Sequence, residues 1–430
     1  MLNNLENMPS NNWKYKPLNE VASRIMEKNG ERTNNVLTIS AQHGLVSQTE
    51  YFNKSVASKN LSGYYYLTKG DFAYNKSYSE GYPFGAIKQL EGYDHGVVST
   101  LYICFRLNSA LVDSRFYKQY FESGLWNSEV RNIAQEGGRS HGLLNVGVKE
   151  FFEIFVPVPS LEEQQKIASI LSSVDEAIEK TEAIIEQTEK IKKGLMQQLF
   201  TKGIGHTKFK KTEIGEIPVG WDLLPVGSIA KLQGGYAFKS KDYIAEGIQL
   251  IRISNLFGKF LNLAKDPVYL PLSYKEDYGG YVLNEGDLII CMTGTVGKED
   301  YGHVVKIPQG SKSLLLNQRV GRFIFQNQGV DRNFLFWFLS SRLFLDVIYS
   351  FGNGTKQANL SAKQIESVLI PFPPKEEQMK ISRVLDSIDE KVEIEKERLY
   401  QLEVIKKGLM QSLFIGKVRV KVDETEVTQV

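Results

Sequence analysis

The sequence predicts an α+β protein: two globular α+β domains alternating with two long helices that pack antiparallel as a coiled coil, with internal pseudo-twofold symmetry. Three observations predict it. A 44-residue segment occurs twice at a constant offset of 214, each copy carries an apolar seam of helical period, and the intervening regions mix short β-type runs with helical spacing. Pro157–Phe200 and Pro371–Phe414 are identical at 23 of their 44 positions without a gap. Chance does not produce that.

Residues 1–12 form a polar N-terminal extension. Residues 13–156 are rich in Gly, Tyr, Ser and Asn. Their β-type runs are Val36–Ile39, Tyr64–Leu67 and Val97–Phe105, and Ser114–Phe121 and Leu125–Ala134 have helical spacing, which together indicate a first α+β domain. In residues 157–200 the seam is Ile167, Leu171, Val174, Ile178, Thr181, Ile185 and Thr188, the 4-3 alternation that two helices need to wrap around each other. Pro157 and Pro159 stop upstream structure from running into this helix. Glu162 and Glu163 in its first turn and Lys192 and Lys193 near its end both favour the helix dipole.

A basic, glycine-bearing linker, residues 201–220, holds Lys202, Lys208, Lys210 and Lys211. Residues 221–370 form a second domain that echoes the first. Trp13 and Pro17 match Trp221 and Pro225, Ile39-Ser40 matches Ile253-Ser254, Gly70-Asp71-Phe72 resembles Gly286-Asp287-Leu288, and Asn145 with Lys149 matches Asn359 with Lys363. Between these anchors the domains differ almost completely. In residues 371–414 the seam repeats as Ile381, Leu385, Ile388, Val392, Leu399 and Leu402, interrupted by Glu395, and residues 415–430 are a charged tail.

The linker length chooses the helix orientation. A helix of about 40 residues is roughly 60 Å long. Parallel packing requires the linker to return that distance, and about 20 residues at ~3.3 Å each barely reach it fully extended. Antiparallel packing brings the end of the first helix beside the start of the second.

Composition narrows the class of protein. Apolar content of 42% and charged content of 24% are those of a soluble globular chain. The start lacks a basic stretch followed by an apolar one, and no apolar run approaches a bilayer span, so a cytoplasmic protein without membrane contact is expected. Cys104 and Cys291 lack metal-like spacing. The helices are net acidic within a chain of net charge +2, so the remainder carries a mild positive excess, which suits a nucleic-acid partner.

The doubled helix starts PVPSLEEQQKI and PFPPKEEQMKI, the helix ends IKKGLMQQLF and IKKGLMQSLF, and Gly215–Trp221 (GEIPVGW) before the second domain together resemble the specificity subunit of type I restriction-modification systems. The resemblance runs from Trp13 to about Phe414. The family's PPLxEQ pattern departs slightly at Pro159-Ser160-Leu161 and Pro373-Pro374-Lys375. Residues 352–359 (GNGTKQAN) are similar to the family's G-T-x-x-x-N, and the counterpart at 138–145 is looser. The resemblance implies a non-catalytic reader of double-stranded DNA. Two target recognition domains would each read one half of a split, asymmetric target, with the helices setting the gap and docking two methyltransferase subunits. Restriction and translocase subunits complete the family's enzyme. S-adenosylmethionine would bind the methyltransferase subunits, ATP and Mg the restriction subunit, and neither this chain.

Motifs for catalysis are absent from the sequence. No Asn-Pro-Pro-aromatic motif of an amino-methyltransferase occurs, and the nearest approach to a phosphate-binding loop, Gly294 to Glu299, lacks its first glycine and ends in Glu. The five histidines show no ligand spacing. Bases are read by Arg, Lys, Asn and Gln, and phosphates also by Ser and Thr. Polar loop clusters of that kind are Gln42-His43, Asn75-Lys76-Ser77 and Arg139 with His141 in the first domain. In the second they are Arg252 with Ser254-Asn255, Thr293 and Thr295 to Lys298, Asn317-Gln318-Arg319, and Lys356-Gln357. These are the expected DNA contacts. Two other readings make different predictions. A coiled-coil scaffold joining two protein-binding domains would lack salt-dependent duplex affinity, and a subunit serving a fused restriction-modification polypeptide would differ only in its partner.

Overall fold

The computed structural model describes residues 13–40, 43–52, 60–134, 144–326, 329–351 and 357–421. The chain forms two compact units, Met1–Glu182 with Glu397–Val430, and Ala183–Lys396. Each unit therefore holds one globular domain, the adjoining stretch of its own helix and a stretch of the other helix.

In the first unit an antiparallel sheet runs in the order Ala22–Arg24, Ile103–Leu107, Phe72–Asn75, Ala86–Gln89. Smaller pairs, Leu37–Ser40 with Gly44–Ser47 and Tyr65–Thr68 with His95–Val98, complete the strands. The run Val97–Phe105, read from sequence as one β segment, is two strands. A turn closed by Tyr102 N–H donating to the Ser99 carbonyl at 3.1 Å breaks it, so its two ends join different sheets. Phe72, Tyr74, Phe105, Phe121, Trp126 and Phe151 form the aromatic centre, with Phe72 stacked on Phe105 at 5.3 Å and Tyr74 on Phe151 at 4.8 Å. Lys14–Pro17 pairs with Phe155–Val158, so the strand that enters the domain is bonded to the one that leaves it. Pro157 is tolerated because that ribbon has only two strands.

The second unit repeats this arrangement. Its main sheet runs Ala230–Gly234, Val320–Phe325, Leu288–Cys291, Val304–Lys306, and Asp222–Pro225 pairs with Leu369–Phe372. A second four-stranded sheet includes the parallel neighbours Ile248–Ile251 and Leu314–Leu316. The Gly-Asp anchors share a structural role. Buried Asp71 accepts from the Thr68 amide at 2.8 Å and from Arg106 at 2.7 Å, while Asp287 accepts from the Asn284 amide at 2.9 Å and faces Arg322 at 3.5 Å. The stretch expected to be a plain linker contains a hairpin, Phe209–Thr212 with Gly215–Pro218, whose turn is closed by Gly215 at φ 109°.

The long helices span Leu161–Lys202 and Lys375–Phe414. All the seam positions named from sequence are buried or half-buried, and Glu395 is half-buried among them. Within each unit the helical stretches run antiparallel. Asp175 meets Lys406 at 2.6 Å in the first, where Glu163 also meets Arg419, just beyond the end of the second helix, at 3.9 Å; Lys192 meets Asp389 at 3.1 Å and Glu189 meets Lys396 at 3.9 Å in the second. Asp175–Lys406 and Asp389–Lys192 are the same contact made twice, because both members differ by 214.

One glutamine fastens each domain to its helix. Gln164, fully buried, accepts from the Asp113 amide at 2.8 Å and donates to the Pro159 carbonyl at 3.0 Å. Gln378, also fully buried, accepts from the Asp331 amide at 2.9 Å and donates to the Pro373 carbonyl at 2.8 Å. Asp113 and Asp331 are themselves the N-caps of Ser114–Glu122 and Arg332–Leu339. The residue before each glutamine is put to local use. Glu377 accepts from the Trp221 indole at 2.9 Å and the Ile204 amide at 3.0 Å and meets His206 at 2.8 Å, binding the post-helix segment to the start of the second helix.

Candidate nucleic-acid interface

In the second domain the expected contact residues come from four chain segments stitched together by backbone hydrogen bonds. The Asn317 amide donates to the Ile251 carbonyl at 3.3 Å, so the Asn317–Arg319 turn lies beside the segment that carries Arg252 and Ser254. The Met292 amide donates to the Arg319 carbonyl at 3.0 Å, which brings in Thr293–Thr295. That strand pairs with Gln357–Asn359, setting Thr295 opposite Gln357. Between these segments lies a cleft of about 430 Å³ lined by Ser254, Thr293, Gly294, Thr295, Asp300 and Gln357.

The side chains divide by what they have left to offer. Gln318, Arg319, Lys298 and Thr295 are exposed. The hydroxyls of Ser254 and Thr293 and Nε of Arg252 are buried without a hydrogen-bond partner. The Arg252 fork also donates to the Asp266 carbonyl at 3.3 Å. Asn255 is only 1% exposed. Its amide oxygen accepts from the Arg252 amide, and its nitrogen donates to the carbonyls of Asn262 and Lys265. Asn255 is thus a loop-shaping residue rather than a presented contact, because local backbone consumes its polar groups. Asn317 spends its side-chain oxygen on the Gln318 amide at 2.9 Å. Lys356 lies outside the described residues.

The first domain brings fewer of its candidates together. Gln42, Arg139 and His141 lie outside the described residues. His43 is exposed, with its ring 6.1 Å from Tyr51. Asn75 accepts from the Ser77 amide at 3.1 Å, and the Lys76 ammonium reaches the Val146 carbonyl at 3.4 Å. A backbone bond of the same kind occurs in each domain: the Leu144 amide donates to the Lys76 carbonyl at 3.0 Å, and the Leu360 amide to the Met292 carbonyl at 2.8 Å.

Two residues on the second-domain face were missed from sequence. Tyr236 is 38% exposed, and its backbone is bonded to Leu316 and Gln318. The preceding Gly234-Gly235 was the available signal, since a Cβ on Gly235 would lie 2.1 Å from the Asn317 carbonyl oxygen. Asp300 was passed over because it is acidic. Neither cysteine offers a nucleophile: burial pushes the Cys104 thiol up to about 12 and raises that of Cys291. Among the described residues no group of three His, Cys, Asp or Glu is placed to hold a metal, and no helix is long and apolar enough to cross a membrane.

Each unit also has a groove walled by the helix-end repeat. In the first it is about 410 Å³ and includes Lys407, Met410 and Gln411 beside Glu122 and Ser123. In the second it is about 750 Å³ and includes Lys193, Met196 and Gln197 beside Ser340 and Ser341. These three helix residues recur 214 positions apart; the first groove is walled in addition by Asp175, Ile178, Glu403 and Lys406, and the domain walls differ. Ile191 and Ile405, equivalent in the repeat, are each 50% exposed.

The model of the type I restriction modification DNA specificity domain matches residues 10–190 and again 218–404. The chain belongs to this family. It is 33% identical over 332 residues to the MjaVIII specificity subunit of Methanocaldococcus jannaschii, covering 76% of this chain and 75% of that one. It is 27% identical over 220 residues to the EcoKI specificity subunit of Escherichia coli, covering 49% and 45%. In fold it is similar to a type I restriction-modification structure solved for complex assembly and conformational transition, with TM-score 0.56 and 16% identity over 96% of this chain and 99% of that one. The type I S subunit from M. genitalium has TM-score 0.55 and 16% identity, over 95% and 99%. This chain is a DNA specificity subunit of a type I restriction-modification system, with two DNA recognition domains.

Proposed function

We propose that the chain reads a bipartite, asymmetric DNA target, one half-site per globular domain, while its two long helices set the unread gap and dock two methyltransferase subunits. One observation carries this reading. The two domains keep a common frame and fasten to their helices through the same glutamine, yet differ in the polar segments that line their candidate reading faces. Two unlike readers on a repeated rod make a split specifier, as half-site spacing follows protein geometry in two-headed DNA binders. The repeated groove residues and exposed isoleucines favour a partner bound twice in the same way. Catalysis, S-adenosylmethionine, ATP and Mg belong on this reading to the partner subunits.

The test is single-molecule methylome sequencing of a host carrying the partner subunits, with and without this gene. Loss of one bipartite N6-methyladenine motif is the expected result. An unchanged methylome refutes the reading.

A further inference from the structure

The cleft beside Thr293–Thr295 contains one group that does not belong to a phosphate site, the carboxylate of Asp300. One of its oxygens accepts from the Thr295 amide at 2.7 Å, which fixes the side chain across the Thr295–Asp300 loop. This close approach depends on Gly294, where a Cβ would lie 2.3 Å from the same oxygen. A carboxylate has about four lone-pair positions, so a single amide leaves most of its accepting capacity for whatever enters the cleft. Ser254 and Thr293 line the same cleft with hydroxyls that have no hydrogen-bond partner, and Thr293 is only 8% exposed. Buried polar groups are ordinarily paired. An anchored carboxylate with accepting capacity to spare points to a ligand that brings donors.

We propose that this cleft reads the exocyclic amino group of a cytosine or adenine in the major groove, with Asp300 as the acceptor and as a specificity-determining residue. The inference rests on the reading of the chain as a two-headed DNA reader. Phosphate is disfavoured because its charge matches that of the carboxylate. Guanine O6 and thymine O4 are acceptors and would face the carboxylate with no proton between them, whereas cytosine N4 and adenine N6 each present a donor. The carboxylate thus selects by repulsion as well as by attraction.

The test uses the complex of this chain with its modification subunits, in competition binding to duplex pools randomised across one half-site at a time. For the wild type, one position in the half-site read by the second domain should prefer an amino-bearing base by roughly ten-fold. Asp300→Asn keeps an acceptor for the Thr295 amide and adds a donor, so that preference should fall below about three-fold at that position alone, with the other half-site and the gap unchanged. Gly294→Ala, which displaces the carboxylate, should relax the same position. The proposal is overturned if Asp300→Asn leaves the profile unaltered or weakens all sequences equally. Absence of any sequence preference in the wild-type complex would instead overturn the underlying DNA-reading assignment, and this inference with it.

Discussion

Replacing Gln378 by methionine keeps the shape of a buried side chain and removes both of its hydrogen bonds. The Asp331 amide and the Pro373 carbonyl, now 2.9 and 2.8 Å from the glutamine, would then be left unpaired around a residue with no exposed surface. An unmet buried polar group costs about 1–3 kcal/mol, so two such groups give an expected loss of about 3 kcal/mol after partial relaxation. With a urea dependence of about 3 kcal/mol per molar, the unfolding midpoint should fall by about 1 M. Gln164→Met removes the matching pair of bonds, to Asp113 and Pro159, and should cost the same within about 1 kcal/mol. Urea denaturation of the full chain followed by tryptophan fluorescence measures both. A loss below about 0.5 kcal/mol for either variant would show that the glutamines fill space rather than fasten the domains.

Four further outcomes follow from the same geometry. Asp389 accepts from Lys192 at 3.1 Å and also from Lys259, so Asp389→Asn should cost about 2–3 kcal/mol in thermal or urea unfolding. Burial alone would lower the Lys192 pKa, but hydrogen bonds to Glu189 and Asp389 outweigh it and hold the pKa above 10.5. That contribution is complete below the unfolded value and disappears as pH rises through the higher folded one, so Asp389→Asn should make alkaline unfolding begin at lower pH. Trp221→Phe removes the indole donor to Glu377 and should cost about 1.5–3 kcal/mol, read by differential scanning calorimetry. Lys298→Ala should weaken duplex binding about equally on all sequences and reduce the slope of log affinity against log salt by about 1. Deleting four residues, about one helical turn, within Ile178–Lys190 should change the gap length in the methylated motif and leave both half-sites intact.

The sequence made the helices legible because a 214-residue offset and a 4-3 apolar rhythm leave few alternatives. It did not reveal how the domains attach. Gln164 and Gln378 sit in a first helical turn, and their bonds to the Asp113 and Asp331 amides cross more than 40 residues of chain, beyond the reach of any local pattern. The Val97–Phe105 run hid its break because a Ser99–Tyr102 turn needs no glycine or proline to announce it. On the candidate interface, polar loop composition brought Ser254, Thr293, Thr295 and Gln357 to one cleft. It misjudged Asn255, since composition cannot distinguish an amide that bonds its own loop from one presented to solvent. Asp300 escaped because a search for DNA contacts favours positive charge, whereas discriminating among bases also needs acceptors.

The fastening of each domain has a consequence for how such a chain changes over time. Gln164 and Gln378 grip main-chain groups, an amide at the start of a domain helix and a proline carbonyl before the rod, so this part of the socket recognises a backbone shape, while Asp386 beside Asn333 and Trp337 and the Phe116–Phe414 contact add side-chain requirements. A domain with quite different surface residues can seat there provided that it presents a capped helix N-terminus in the same place. The rod can therefore stay fixed while the surface of a domain is rewritten, so long as the few residues that touch the rod are kept.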